Sequence, residues 1–159
     1  MGWSERALEA LRAGGGKLTP QRLRIVSVIE ELGPGHPTLK EVLSRVREDF
    51  PMVSFSTLYS NVMLLRRAGL LHVFCHGGEA RIEINTSPHI NVVEDGEIFD
   101  VVDDELIRLA ETRLGRRVLF LNAYVSRRQA LGGRESEDTL PEKAPRQPSP
   151  ASSGSSDSP

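Results

Sequence analysis

Residues 19–84 contain three short helical patterns in close succession and then a hairpin pattern, and this order restricts the possible folds strongly. The first pattern begins at Thr19-Pro20, an N-cap followed by proline at the first helical position. The second begins at Thr38, which is placed to form a capping box with Glu41. The third covers residues 54–68. Helical spacing predicts a core-facing set made of Leu23, Ile25, Val26, Ile29, Leu32, Leu39, Val42, Leu43, Val46, Leu58, Val62 and Leu65.

A β-hairpin pattern follows the third helix. The segment LLHVFCHGGEARIEIN alternates apolar and polar residues on both sides of Gly77-Gly78. Three helices and a two-stranded hairpin, preceded here by a short amphipathic helix over residues 4–12, have the order of a winged helix-turn-helix. We therefore predict an α+β fold in which residues 1–84 form a winged-helix DNA-binding domain.

The next segment, residues 85–129, is predicted to be a small α/β dimerisation domain. HINVVE and EIFDVV flank the turn Asp95-Gly96, an acidic-capped helix follows, and RRVLFLNAYVS has a strand pattern. A unit of this size has little core of its own, so we expect a homodimer with Leu121, Tyr124 and Val125 at its interface. Residues 130–159 are rich in Pro and Ser, and are predicted to be a disordered tail.

The third helix carries short polar side chains near its N-terminus, where a helix that enters the DNA major groove makes its contacts. A merely solvated polar face is the alternative for such a helix, but the surrounding order of elements favours DNA. Arg24, Arg66 and Arg67 are further phosphate-contact candidates or solvated helix charges. The predicted DNA-binding residues are Lys17, Arg22, Ser56, Thr57, Tyr59, Ser60 and Asn61.

Composition limits the cellular context. No apolar run approaches the roughly 20 residues that span a bilayer, and the N-terminus lacks the apolar region of a signal peptide. The single cysteine, Cys75, excludes an internal disulfide and a multi-cysteine zinc site. Residues 1–70 carry ten Lys and Arg against seven Asp and Glu, a mildly basic balance. We expect a cytoplasmic protein without membrane contact.

These motifs resemble the ferric uptake regulator family of metal-dependent transcriptional regulators. LTPQRLRIVSVIEEL and HPTLKEVLSRV are similar to the family's first two winged-helix segments. SFSTLYSNVMLLRRAGLL is similar to its DNA-reading segment, with Thr57, Tyr59 and Gly69 matching, and TSPHINVVEDGEIFDV resembles the start of its dimerisation domain. The resemblance covers about residues 10–127.

Three departures from the family pattern affect function. Ser60 stands where the family has an arginine that contacts DNA. Glu94-Asp95-Gly96 replaces a C-x-x-C pair, so the chain cannot form the structural zinc site with four thiolates that many members have. Asn91 replaces the second histidine of an H-x-H motif.

The resemblance also implies a regulatory metal site between the two domains. Imidazoles, carboxylates and an amide oxygen suit Fe²⁺, Mn²⁺, Zn²⁺ or Ni²⁺. The expected function is a sequence-specific regulator, and specifically a repressor, that binds a palindromic operator as a homodimer and is not an enzyme. The ligands carried over are His36, Glu83, His89, Asn91 and Asp100.

Other functions stay open at this point. The same architecture without metal sensing is favoured by Asn91 and the missing cysteines. A metal-dependent hydrolase using Glu83, His89 and Asp100 lacks any nucleophile motif, and a purely protein-binding winged helix is a further alternative. His72 and His76 on the first wing strand suggest contacts near the DNA backbone or an incomplete second metal site, and Cys75 is predicted to be a small packed residue.

Overall fold

The structure is a computed structural model that describes residues 1–126. The tail predicted over residues 130–159 lies outside the described residues. Five helices, one 3₁₀ turn and five strands form the described part. In chain order they are α1 (Trp3–Ala13), α2 (Pro20–Leu32), the 3₁₀ turn (Gly33–Gly35), α3 (Leu39–Arg47), α4 (Phe55–Arg67), β1 (His72–His76), β2 (Glu79–Glu83), β3 (His89–Glu94), β4 (Glu97–Val101), α5 (Asp104–Leu114) and β5 (Phe120–Tyr124).

The helices begin where the sequence predicts. Thr19 and Ser54 accept hydrogen bonds from backbone N–H groups of the first turns of α2 and α4. Thr38 and Glu41 form the capping box of α3, which satisfies N–H groups that have no partner within the helix. These caps fix the starts of the helices on which the predicted DNA-binding residues lie.

One hydrophobic core joins the wing and the helices α1, α2, α3 and α4. Leu58, Val62 and Leu65 of α4 are fully buried in it, together with apolar residues of α2 and α3. Helix α1 adds Ala7 and Leu11, and the indole N–H of Trp3 donates to the Leu70 carbonyl at 2.8 Å. The predicted core position of Leu23 is wrong, because its side chain is 44% exposed.

The wing is a hairpin with a short third segment. Strands β1 and β2 pair antiparallel around Gly77 and Gly78, which both have the positive φ that this tight turn requires. The Pro37 carbonyl accepts a hydrogen bond from the Ile82 N–H at 2.9 Å, and Thr38 bridges to Arg81. The chain just before α3 is therefore attached to the wing.

A second, three-stranded sheet has the order β4-β3-β5, with β5 parallel to β3 and α5 as the crossover. Asp95 (φ 51°) and Gly96 (φ 86°) form the predicted turn. The small core of this unit has three buried apolar residues, Ile90, Ile107 and Val118. The predicted α+β fold, a winged helix followed by a small α/β unit, is confirmed. Within residues 1–126, no helix is long and apolar enough to cross a bilayer.

Candidate metal centre and nucleic-acid interface

His36 is held in an unusual backbone conformation at the junction of the 3₁₀ turn and the wing. Its φ is 52°, in the left-handed region that histidine adopts only uncommonly. Its N–H donates to the Gly33 carbonyl at 3.1 Å, and its own carbonyl accepts from Arg81 Nη1 at 2.9 Å. Strained positions of this kind concentrate at functional sites. The imidazole side chain is 2% exposed.

Glu83, the last residue of β2, lies between two histidines. Its Oε1 accepts a hydrogen bond from the Asn85 backbone N–H at 2.6 Å. Its Oε2 is 2.9 Å from His36 Nε2 and 3.1 Å from His89 Nε2. A carboxylate that is 1% exposed is costly to bury without a positive partner.

The second sheet supplies the remaining predicted ligands. Asn91 of β3 and Asp100 of β4 are directly opposite each other in the strand register. Asp100 Oδ1 lies 2.9 Å from His36 Nε2, and its Oδ2 accepts from Asn85 Nδ2 at 2.8 Å. Asn91 Oδ1 lies 3.0 Å from His89 Nε2. All five residues that the sequence suggested as ligands thus form one cluster, which links the wing to the second sheet.

The hydrogen bond at His89 Nδ1 determines the tautomer of this histidine. His89 Nδ1 is 2.7 Å from the Ser87 carbonyl, which can only accept, so Nδ1 carries the proton. In the neutral ring, Nε2 then presents a lone pair toward Glu83 Oε2 and Asn91 Oδ1. Three acceptors therefore face one another, and a proton or a cation is needed among them.

The pKa shifts of His36 and Glu83 also indicate that a positive charge is favoured beside these carboxylates. Burial lowers the pKa of His36, but the Glu83 and Asp100 carboxylates outweigh it and hold that pKa above its ordinary value. Burial raises the pKa of Glu83, but the nearby His36 imidazole and the hydrogen bond from the Asn85 N–H outweigh it and hold that pKa below its ordinary value. His36 Nε2 is close to both carboxylates but lies in hydrogen-bonding geometry with neither, and Nδ1 is also without a partner.

The donor set fits a divalent transition metal. One ligand atom from each of His36, Glu83 and Asp100 lies within 4.8 Å of the others. The distances from His36 Nε2 to the two carboxylate oxygens, both 2.9 Å, match the separation of about 3 Å between adjacent ligands bonded at about 2.1 Å to one octahedral ion. Mixed imidazole and carboxylate ligands suit Fe²⁺, Mn²⁺, Zn²⁺ and Ni²⁺. His89 joins this group through its contact with Glu83.

Several residues that complete the cluster were missed from the sequence. Asn85 and Ser87 hold the Glu83 and His89 side chains, and Asn122 of β5 accepts a hydrogen bond from Asn91. Nothing in their local sequence marks them, because they act through strand pairing and loop geometry.

The histidines of β1 face the second sheet. The ring of His72 lies 5.7 Å from that of Phe120, and Phe74 contacts the same ring at 5.6 Å. His76 Nδ1 lies 2.9 Å from the Tyr124 hydroxyl. Within residues 1–126, these histidines belong to no metal-ligand cluster. Cys75 is exposed on the opposite face, so its predicted packing is wrong.

The polar face of α4 and the start of α2 line one open cavity of about 460 Å³. Ser56, Thr57 and Ser60 are exposed there, and Tyr59 is 47% exposed beside them. Because Leu58, Val62 and Leu65 attach the opposite face to the core, this surface is available to a ligand. The lining residues are Gly16, Lys17, Thr19, Gln21, Arg22, Ser56, Thr57, Ser60 and Asn61.

The placement of Asn61 on the exposed face is wrong. Its side chain is 2% exposed, and its Nδ2 donates to the Thr57 carbonyl at 2.7 Å. Asn61 lies three residues after Leu58 and four before Leu65, which is the spacing of the buried face. Its contribution is to the back wall of the cavity.

A winged helix attached to a small α/β unit, with an acceptor-rich cluster between them, has the features of a metal-responsive DNA-binding regulator. The model of the ferric uptake regulator family matches residues 13–122. The chain belongs to this family, which consists of metal-responsive transcriptional regulators rather than enzymes. Family members bind DNA and form dimers.

Individual relatives agree with this assignment. The chain is 52% identical over 126 residues to a ferric uptake regulation protein homolog of Archaeoglobus fulgidus, covering 79% of this chain and 98% of the relative. A zinc-bound manganese uptake regulator is 25% identical with a TM-score of 0.57, over 78% of this chain and 97% of that one. The Helicobacter pylori ferric uptake regulator, at 19% identity, shares the fold with a TM-score of 0.64 over 84% and 94% of the two chains.

Proposed function

We propose that the protein is a cytoplasmic, homodimeric repressor that binds a palindromic operator and whose DNA affinity is set by a divalent metal. The residues that would hold the metal are His36, Glu83, His89, Asn91 and Asp100. The observation that carries this proposal is the cluster of acceptors between the wing and the second sheet, which is buried except for Asp100 and requires a positive charge at its centre.

The cluster connects two parts of the chain that we propose as domains, residues 1–84 and 85–129. His36 and Glu83 belong to the first, and His89, Asn91 and Asp100 to the second. A bound divalent ion supplies the positive charge that these acceptors lack. With the acceptors held together, the wing keeps one orientation on the second sheet, and α4 follows because it shares a core with the wing. DNA then selects the dimer whose two α4 helices match successive major grooves.

The proposed dimer would cover apolar surface of the second domain. Phe99, Leu109, Leu119 and Tyr124 are 45%, 51%, 49% and 66% exposed, although this unit has only four buried apolar residues among those described. Apolar surface of this extent on a small unit is typical of a face that pairs with a second copy. Leu121 and Val125 remain the further predicted interface residues.

A metal-independent regulator of the same architecture is the second candidate. The specific observation in its favour is the raised pKa of His36, since a protonated imidazole between Glu83 and Asp100 supplies a positive charge without a metal. Elemental analysis of the purified protein separates the two functions. We expect about one transition-metal ion per chain, which chelation removes and dialysis against the metal restores. A protein that takes up no divalent ion from a buffered excess supports the second candidate.

Metal affinity should rise with pH. The ion competes with the proton on His36, and because the folded-state pKa is raised, this competition persists above the ordinary value of about 6.5. In the metal-free protein, by contrast, the stability of the fold should fall as pH rises. Protonated His36 stabilises the fold fully below the unfolded-state pKa, and that contribution is lost as pH rises through the folded-state pKa. Titrations with Zn²⁺ between about pH 6 and 8 measure the first effect. A pH-independent affinity contradicts the role of His36.

DNA binding should depend on salt through Lys17 and Arg22, the two cationic residues that line the cavity beside α4. Each phosphate contact adds about one to the slope of log K against log salt. Lys17→Ala and Arg22→Ala are each expected to weaken binding to all duplexes. Because the contact is lost from both protomers of the proposed dimer, each should lower this slope by about two. Lys40→Ala is the matched control, because Lys40 pairs with Glu79 outside the cavity. An unchanged slope in both cavity variants excludes them as phosphate contacts.

A further inference from the structure

The buried amide of Asn91 has a defined orientation in the metal centre. Its side chain is fully buried, with Oδ1 3.0 Å from His89 Nε2. Its Nδ2 donates to Asn122 Oδ1 at 3.1 Å. Asn91 and Asn122 are directly paired residues of the parallel strands β3 and β5, so their side chains lie side by side in the sheet. Asn122 itself is exposed.

A 180° rotation of the Asn91 amide would exchange the positions of its oxygen and its NH₂ group at the metal centre. The NH₂ group would then face His89 Nε2, which carries a lone pair because its Nδ1 proton is held by the Ser87 carbonyl. That orientation forms a good N–H···N hydrogen bond and occupies the nitrogen that a metal needs. It would also place the Asn91 oxygen against Asn122 Oδ1, and two acceptors repel, so it is disfavoured while Asn122 presents this oxygen.

We propose that Asn122 is a positioning residue of the metal centre. It directs the Asn91 oxygen inward as a neutral ligand and keeps the amide NH₂ group away from His89. The inference rests on the proposed metal-dependent function, and it adds a residue outside the ligand set. A neutral carbonyl-type oxygen beside two carboxylates suits an oxygen-preferring divalent ion such as Mn²⁺.

Mn²⁺ binding to the full-length protein tests the role of Asn122. The metal-free protein is titrated with Mn²⁺ alone in competition with a fluorescent chelator. Asn122→Ala is expected to weaken Mn²⁺ binding by about tenfold, the usual size of an effect on ligand orientation. Asn122→Asp retains an acceptor for the Asn91 NH₂ group, so it should bind Mn²⁺ at least as tightly as the wild type. Because position 122 is exposed, both variants should fold.

A double-mutant cycle separates orientation from a general structural effect. In an Asn91→Ala background there is no amide to orient, so adding Asn122→Ala should not change Mn²⁺ affinity further. An equal loss in both backgrounds, or no loss in the single Asn122→Ala variant, overturns the positioning role while the metal site stands. Failure of the wild type to bind either Mn²⁺ or Zn²⁺ overturns the metal-dependent function and this inference together.

Discussion

His36→Ala should abolish the gain in DNA affinity that a divalent metal gives. His36 Nε2 lies 2.9 Å from both Glu83 and Asp100, and it supplies the proposed ligand that comes directly before the α3 segment. Coupling between two sites typically changes affinity about 5- to 150-fold. The quantity to measure is the ratio of the affinity for one operator duplex with Mn²⁺ to the affinity with chelator. We expect this ratio to fall to about one in the variant.

Two further variants make this result specific. His89→Ala removes a second proposed ligand from a strand without positive φ, so it should have the same effect without disturbing the left-handed position of His36. His76→Ala is the control, because His76 contacts Tyr124 and lies outside the cluster. A full metal response in His36→Ala, or its loss in His76→Ala, contradicts the proposed ligand set.

Leu58→Ala should destabilise the protein by about 2–5 kcal/mol, the range for removing a buried leucine side chain. Leu58 is fully buried on the inner face of α4, where it joins the core of the winged helix. Urea unfolding measures the loss as a lower midpoint at unchanged slope.

Leu23→Ala is the matched control for this experiment, because Leu23 is 44% exposed on α2. It should cost less than about 1 kcal/mol, as is usual for changes at exposed positions. Equal losses at the two positions would mean that α4 is not attached to the core through Leu58. The accessibility of its polar face, on which DNA binding depends, would then be in doubt.

Local signals in the sequence were sufficient to predict the fold. Thr19, Thr38 and Ser54 begin helices because their side chains satisfy N–H groups that have no partner within the helix. Asp95-Gly96 forms a turn because both residues tolerate positive φ. Such features depend on a few neighbouring residues and can be identified without knowledge of the tertiary structure.

Burial at single positions could not be predicted in the same way. Asn61 follows the spacing of the buried face, but its polarity suggested exposure. Leu23 is apolar, but no element covers it fully, and Cys75 is exposed because the second sheet covers only the other face of the hairpin.

The candidate metal centre was predicted through family resemblance, since its residues come from four separate segments. These residues come together because Pro37 pairs with Ile82 and Asn91 pairs with Asp100. Asn122 was missed because its role exists only in the register of β3 and β5. Long-range pairing of this kind leaves no local pattern in the sequence.

The most direct test of metal control is the DNA affinity of the unmodified protein in one reversible series. An operator duplex selected from random sequences is titrated with chelated protein, then with the same protein after Mn²⁺ is restored, and again after chelation. We expect affinity to rise at least about fivefold with the metal and to return to its starting value without it. Equal affinity at all three steps would contradict the proposal that the cluster of His36, Glu83, His89 and Asp100 controls DNA binding.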